Sequence, residues 1–155
     1  MANKYLTFFI GKESYGLPIL KVKEIIGMMN ITYVPNVPKY VKGVINLRGN
    51  IIPALDLRLK FGFESRSYDD KTCIIVVEIS NKGKSQLSGL IVDTVWEVLD
   101  IDESCIEGPP AYQNSINDDF LSGIGKVKDR IIMLIDADKI LCSQNKNYIL
   151  NLENK

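Results

Sequence analysis

Residues Gly43–Phe61 read GVINLRGNIIPALDLRLKF, and this stretch decides the fold because a second version of it occurs later in the chain. Placed without a gap over Gly123–Leu141, GIGKVKDRIIMLIDADKIL, it matches four residues identically, and Arg48 falls on Lys128. Each copy has two apolar runs separated by a short polar turn, Gly49-Asn50 in the first copy. This pattern is typical of a β-hairpin.

A second internal match precedes each of these stretches. Tyr15–Ile26, YGLPILKVKEII, overlays Ser88–Leu99, SGLIVDTVWEVL, again with four identities. The two matches come in the same order, which indicates a duplication into two similar five-stranded units, about 12–68 and about 72–141, with possible strand exchange at the ends. A single irregular β-domain with two similar hairpins stays open as the alternative, because short apolar windows can match through composition alone.

The composition favours β-strands as the main architecture. The chain has 21 Ile and 11 Val but only 4 Ala, and β-branched side chains pack well on a pleated surface. Two short stretches are predicted as helical: Leu20–Ile26, and Leu57–Phe61 after Asp56 as N-cap. Residues Asn145–Lys155 are predicted as a short terminal helix or a frayed tail. The strand candidates are Tyr5–Ile10, Tyr15–Ile19, Ile31–Val34, Gly43–Arg48, Ile51–Leu55, Thr72–Ile79, Leu87–Val92, Gly123–Lys128 and Arg130–Ile135.

Several classes of function are disfavoured by what the 155 residues contain. Nineteen basic and nineteen acidic side chains give no net charge, whereas a protein that binds duplex nucleic acid usually has a basic excess. The chain has no histidine, which removes the commonest general base and metal ligand. Its apolar runs are too short to span a membrane, and its N-terminus shows no export signal.

The residues that catalysis would need are better explained as structural. The acidic groups Asp69-Asp70, Asp102-Glu103 and Asp118-Asp119 lie in polar stretches typical of loop caps, although paired acids could also hydrolyse glycosides. Three cysteines lie far apart with no base to activate them. No phosphate-binding or dinucleotide-binding glycine motif is present. We therefore expect no catalytic residue, no metal and no cofactor.

Two short segments are candidates for contact with other proteins. Asn46-Leu47-Arg48-Gly49 places a guanidinium at a hairpin tip, where it either binds a partner's carboxylate or is solvated. In Val22-Lys23-Glu24-Ile25, the apolar side chains are either buried in the core with the charges at its rim, or exposed as a ridge that binds a partner. Between them, Tyr33–Tyr40 contains two prolines and is predicted as a rigid connector.

These motifs, taken in order, resemble the bacterial chemotaxis adaptor family CheW. The similarity runs from about Tyr5 to Leu141, which is nearly the whole chain. The stretches that carry it are Tyr15–Ile26, the connector with Pro35 and Pro38, Gly43–Gly49, Ile51–Arg58, Gly89–Asp93, Asp119–Gly125 and Arg130–Asp136.

The resemblance implies both a fold and a role. The fold is mainly β, with two similar five-stranded Src-homology-3-like barrels packed together and short helices. The role is that of a non-catalytic adaptor that links the cytoplasmic tip of methyl-accepting chemoreceptors to the regulatory domain of the histidine kinase CheA. The implied location is cytoplasmic, at receptor arrays on the inner face of the membrane, with no direct membrane insertion. A length of 155 residues without histidine fits the adaptor better than the kinase.

The resemblance also implies partner-binding residues. The positions that match those implicated in receptor or kinase coupling are Val22, Glu24, Gly43, Val44 and Arg48. Ile25 and Asn46 adjoin them in the two segments described above. Val92, Val95 and Val98 are similar to the face associated with the kinase's regulatory domain.

The alternative from another functional class is a small β-barrel that binds nucleic acid. Such a protein needs a basic face with aromatic side chains, and the chain has a sparse version of one. Its members are Tyr33, Lys39, Tyr40, Lys42 and Arg48. Retention on heparin or single-stranded DNA at moderate salt would distinguish this role from that of an adaptor.

Overall fold

The computed structural model describes residues 2–81, 83–108 and 120–140, and these are mainly β-strands with short helices, as predicted. The strands are β1 Ala2–Ile10, β2 Glu13–Pro18, β3 Val22–Gly27, β4 Val41–Leu47, β5 Asn50–Asp56, β6 Cys73–Asn81, β7 Lys84–Val92, β8 Thr94–Asp102, β9 Ile106–Glu107, β10 Leu121–Val127 and β11 Arg130–Ile135. The helices are α1 Leu57–Lys60, α2 Ala137–Ile140 and two 3-10 helices, Ile19–Lys21 and Glu103–Cys105.

The strands form two sheets. The six-stranded sheet has the order β8-β1-β2-β11-β10-β9, and the five-stranded sheet has the order β3-β6-β7-β5-β4. The six-stranded sheet ends at β9, which has only two residues. At the equivalent edge of the five-stranded sheet, beside β4, there is a single bridge between Thr32 and Val44. Neighbouring strands are antiparallel except for β2–β11 and β5–β7, which are parallel.

Neither sheet is built from one consecutive half of the chain. Strands β1 and β2 join the second-half strands β8, β10 and β11, while β6 and β7 join the first-half strands β3, β4 and β5. The parallel registers repeat the sequence alignment, because Ala54 lies opposite Gly89 and Leu134 lies opposite Gly16. This arrangement is what a duplication with exchange of a hairpin between two units would produce.

The two hairpin-helix segments also repeat each other locally. Arg48 and Lys128 both adopt left-handed backbone, with φ of 50° and 57°, at the start of their turns. Asp56 and Asp136 each accept a hydrogen bond from the backbone N–H two residues further on, at 2.9 and 3.0 Å. Such a bond satisfies one of the free donors at the start of a helix, as predicted for Asp56. Tyr68 donates to the second oxygen of Asp56 at 2.8 Å and ties the segment between α1 and β6 to the start of α1.

One large apolar core joins the two sheets. Its β1 and β2 side chains pack against side chains from β5, β6 and β7 and against both α-helices. The fully buried members include Phe8, Ile10, Leu17, Leu55, Leu57, Ile75, Leu90, Ile135 and Ile140. Burial of apolar surface stabilises a protein by about 25 cal/mol per Å², so this shared core holds the units together.

Two predictions about local structure were wrong. Of the predicted helical stretch Leu20–Ile26, only Leu20 and Lys21 lie in a 3-10 helix, and the rest is β3, whose exposure alternates residue by residue. Ile31–Val34 forms a single bridge and not a strand. Strands β8 and β9 were absent from the predicted set. The predicted tail, Asn145–Lys155, and Asp118-Asp119 lie outside the described residues.

Candidate partner-binding site

The first candidate surface is formed by Glu24, Ile25, Arg48 and Ile51, and we call it the hairpin surface. The guanidinium of Arg48 donates to both carboxylate oxygens of Glu24, with Nη1 and Oε1 3.1 Å apart. This pairing ties the β4–β5 turn to strand β3. Asn46 supports the turn, since its side-chain oxygen accepts a hydrogen bond from Gly49 N at 2.8 Å. Arg48 is thus presented in one orientation.

The ion pair sets the charge of the hairpin surface. The hydrogen bond from Arg48 holds the pKa of Glu24 below its usual value, with a further contribution from the charge of Arg48. The pair therefore stays ionised above the usual pKa of a glutamate and is lost only as the pH falls through the lowered one. A guanidinium has five N–H donors, so Arg48 keeps donors for a carboxylate of another molecule.

Apolar side chains lie near this ion pair in sequence. Ile25 and Ile51 are exposed, whereas Val22 and Val44 are half-buried and pack partly against the core. Of the predicted apolar residues in β3 and β4, Ile25 is therefore the one most available to a partner. An exposed apolar anchor beside charged groups is typical of a protein interaction surface.

Gly43 has a structural role in the same segment. Its φ is 148°, and a Cβ at this position would lie 2.0 Å from the carbonyl oxygen of Thr32. The close approach allows Thr32 and Val44 to exchange backbone hydrogen bonds of 2.8 and 2.9 Å. Gly43 is buried, so any part it has in coupling is through the shape of β4.

The predicted surface around Val92 is corrected by the structure. Val92 is only 1% exposed and packs in the shared core, because the last residues of β7 are buried on both sides. Val95 is half-buried against the same core, and only Val98 is well exposed. A partner can therefore reach Val98 but not Val92.

The second candidate surface is centred on Trp96, and we call it the tryptophan surface. The guanidinium of Arg130 lies 3.7 Å from the centre of the Trp96 ring, and the ring of Phe9 lies 5.0 Å from it. Val98 and Ile131 are exposed, on β8 and β11 respectively. Trp96 occupies the position of Lys23 in the sequence alignment, so the two surfaces differ in chemistry. Trp96 was not among the predicted site residues, although it is the only tryptophan of the chain.

Leu20 was also absent from the predicted site residues. It lies in the first 3-10 helix and is 90% exposed, whereas the sequence predicted it as the first residue of a short helical stretch. A cleft of about 460 Å³ adjoins it. The residues that line this cleft are Asn3, Lys4, Tyr5, Pro18, Ile19 and Leu20.

No helix in the described ranges is both long enough and apolar enough to cross a membrane.

Comparison with known proteins identifies the family. The model of the CheW-like domain matches residues 4–145. The chemotaxis protein CheW of Klebsiella aerogenes is 36% identical over 152 residues, which cover 98% of this chain and 89% of that protein. The chemotaxis protein CheW of Helicobacter pylori is 36% identical over 138 residues, covering 89% and 81%.

A solved structure agrees with these relatives. The scaffolding protein TtCheW from Thermoanaerobacter tengcongensis superimposes with a TM-score of 0.82 at 39% sequence identity, covering 94% of this chain and 96% of that one. Similarity of sequence and of fold therefore extends over the two sheets together. The resemblance inferred from the motifs is confirmed, and the chain belongs to the CheW-like domain family of chemotaxis scaffold proteins.

Proposed function

We propose that this protein is a non-catalytic adaptor that couples chemoreceptors to the histidine kinase CheA in arrays at the inner face of the membrane. The observation that carries the proposal is the presence of two separate exposed surfaces, the hairpin surface and the tryptophan surface, on units that share one core. A molecule that presents two surfaces in a fixed relation can hold two partners at once.

The hairpin surface suits a helical partner such as the cytoplasmic tip of a methyl-accepting chemoreceptor. A helix docks through apolar side chains that are flanked by charges. Ile25 and Ile51 supply apolar anchors, and Arg48 supplies donors for an acidic side chain beside them. Val22 and Val44 are half-buried in the same two strands, β3 and β4, and pack partly against the core.

The tryptophan surface suits the regulatory domain of the kinase. Tryptophan and arginine are enriched at the centres of protein interfaces because they bury large areas at a small entropic cost. Trp96 is already held between Phe9 and Arg130, so little of its freedom remains to be lost on binding. Val98, two residues further along β8, is a second exposed apolar residue of that strand.

Each contact is expected to be weak by itself. An interface near or below about 800 Å² per partner gives affinities around the micromolar range, or about −8 kcal/mol. Neighbouring partners in an array raise the effective concentration of one another, so weak contacts can still produce a stable assembly. We therefore expect the protein to be held stably in an array, although it binds either partner alone only transiently.

Co-sedimentation tests the proposed function. Receptor fragments and the kinase, mixed with and without this chain, are expected to pellet together only when the chain is present. The kinase in the pellet should also be activated. Sedimentation of the kinase with the receptors to the same extent without this chain would contradict an adaptor role. Turnover of a small substrate by the purified chain would contradict a non-catalytic one.

Arg48→Glu tests the hairpin surface. The variant is expected to fold, because Arg48 is exposed, and to lose receptor-dependent kinase activation because two carboxylates then face each other. Circular dichroism checks folding, and a phosphorylation assay with receptor and kinase measures activation.

Two controls make the Arg48→Glu experiment specific. Lys128→Glu makes the same charge change at the equivalent turn position of the other unit, where we expect activation to be kept. The double variant Glu24→Arg/Arg48→Glu restores an ion pair of reversed polarity. Unchanged activation in Arg48→Glu would remove this residue from the site, and full recovery in the double variant would mean that Arg48 only holds Glu24 in place.

A further inference from the structure

Each α-helix forms an ion pair that connects the two units. Arg58 of α1 donates to Asp93, which lies between β7 and β8, with Nη1 and Oδ2 2.6 Å apart. The same carboxylate oxygen accepts a hydrogen bond from Gly11 N at 2.7 Å. Gly11 belongs to the β1–β2 turn of the six-stranded sheet, whereas α1 continues from β5 of the five-stranded sheet. Asp93 thus links the two sheets.

The second ion pair repeats this arrangement in the other half of the duplication. Asp138 of α2 accepts hydrogen bonds from Lys21 Nζ, with both carboxylate oxygens 3.0 Å from the nitrogen. One of these oxygens also accepts a hydrogen bond from Ser80 N at 2.8 Å. Ser80 lies in β6 of the five-stranded sheet, whereas α2 continues from β11 of the six-stranded sheet.

The two pairs occupy matching positions with the charges exchanged. Arg58 and Asp138 fall on each other in the alignment of the two hairpin-helix segments, and Asp93 falls beside the position of Lys21. In the first pair the helix carries the cation, and in the second it carries the carboxylate. In both, the carboxylate also accepts a hydrogen bond from a backbone N–H of a hairpin, that of Gly11 in β1–β2 for Asp93 and that of Ser80 in β6–β7 for Asp138. The repeated geometry with reversed polarity indicates that this link is a feature of each unit.

The two links differ in how firmly they are held. The side chains of Arg58 and Asp93 are 15% and 11% exposed, and Arg58 Nε donates to the carbonyl oxygen of Glu64 at 3.0 Å. The side chains of Lys21 and Asp138 are 31% and 33% exposed. Water and salt screen the more exposed pair more strongly, and a lysine lacks the planar fork of an arginine.

The segment that carries Lys21 has few buried contacts. The 3-10 helix Ile19–Lys21 contains no fully buried residue and has no side-chain cap at its N-terminus, and of its side chains Ile19 packs partly against the core. Leu20 is exposed, so it adds little packing energy. Segments with few buried contacts open locally before the rest of a protein unfolds. The Lys21–Asp138 pair is therefore, together with the packing of Ile19, a tether of this helix to α2.

We propose that Lys21–Asp138 is a releasable latch between the units and that Arg58–Asp93 is the fixed joint opposite to it. When the latch opens, the 3-10 helix and Ser80 separate from α2, while the link through Asp93 persists. The opening moves Ile19 and Leu20 relative to β1, and so changes the shape of the cleft that these residues line together with Asn3, Lys4 and Tyr5. The latch is a property of this fold and does not depend on the identity of the partners.

Amide hydrogen exchange followed by NMR tests the latch with a control inside the same molecule. Lys21→Met removes the cation but leaves Asp138 available to Ser80 N. We expect exchange at Ser80 and at Val22, whose N–H donates to the carbonyl oxygen of Ile19, to become up to about fivefold faster, the change that loss of a partly screened ion pair produces in a local opening. Exchange at Gly11, the matching amide of the other link, is expected to stay unchanged.

Two further variants make the result decisive. Lys23→Met breaks the neighbouring Lys23–Glu78 pair, 3.2 Å long, which makes no link to α2, so Ser80 exchange should not change. Lys21→Arg keeps the cation and should preserve slow exchange. The proposal is overturned if Ser80 exchange is unaffected in Lys21→Met, if Gly11 exchange rises equally, or if Lys23→Met has the same effect.

Discussion

Asp93→Ala is expected to lower the free energy of unfolding by about 3–5 kcal/mol, since removal of one member of a buried ion pair leaves the other charge uncompensated. Asp93 accepts hydrogen bonds from Gly11 N and from the guanidiniums of Arg58 and Arg66, at 2.7, 2.6 and 3.2 Å. The substitution therefore leaves the largely buried Arg58 without its counter-ion. Urea denaturation followed by circular dichroism measures the change.

Two controls separate the buried pair from its exposed neighbour. Arg66→Ala removes only a half-exposed partner of Asp93, and we expect a loss of less than about 1 kcal/mol. The double variant Arg58→Met/Asp93→Leu replaces both charges by apolar groups and should recover much of the stability. A loss below about 1 kcal/mol in Asp93→Ala would contradict the linking role of this carboxylate.

Gly43→Ala is expected to destabilise the fold by about 2–3 kcal/mol, because its new Cβ would lie 2.0 Å from the carbonyl oxygen of Thr32. The backbone must move to relieve this contact, which disrupts the two hydrogen bonds between Thr32 and Val44. The positive φ of 148° adds strain for any residue with a side chain. The midpoint of urea denaturation reports the loss.

Gly27→Ala provides the matched control for this substitution. Gly27 lies at the end of β3, and no neighbouring atom comes within 4 Å of the place that its new methyl group would take. The same chemical change should therefore be nearly neutral there. If Gly43→Ala keeps full stability and yet loses kinase activation, Gly43 would contact a partner directly. If stability and activation fall together, its contribution to coupling is through the shape of β4.

The hairpin-helix segments were predictable because their signals are local. A turn dipeptide between apolar runs, followed by an aspartate that caps a helix, identifies β4, β5 and α1 within one short window. The exchange of hairpins between the units depends on pairs far apart in sequence, such as Ala54 with Gly89. Strand exchange at the ends was among the expectations, but no local pattern identifies the distant strand that pairs with a given edge, so the partners of β2 and β5 were visible only in the structure.

The candidate site was predictable in part for the same reason. Arg48 was identified by its position at a turn, and Glu24 by family resemblance, but their pairing is a contact between separate strands. Val92 was misassigned because β7 ends in an unbroken apolar run, which gives no alternation from which an outer face can be read. Leu20 was missed because a 3-10 helix interrupts the periodicity on both sides of it.

The crossing of β1 and β2 into the second unit has a consequence for biosynthesis. The β1–β2 hairpin is synthesised before its parallel neighbour β11, with most of the other strands between them. The edge of β2 therefore stays unpaired until β11 has emerged from the ribosome, and unpaired strand edges are sites where chains associate wrongly.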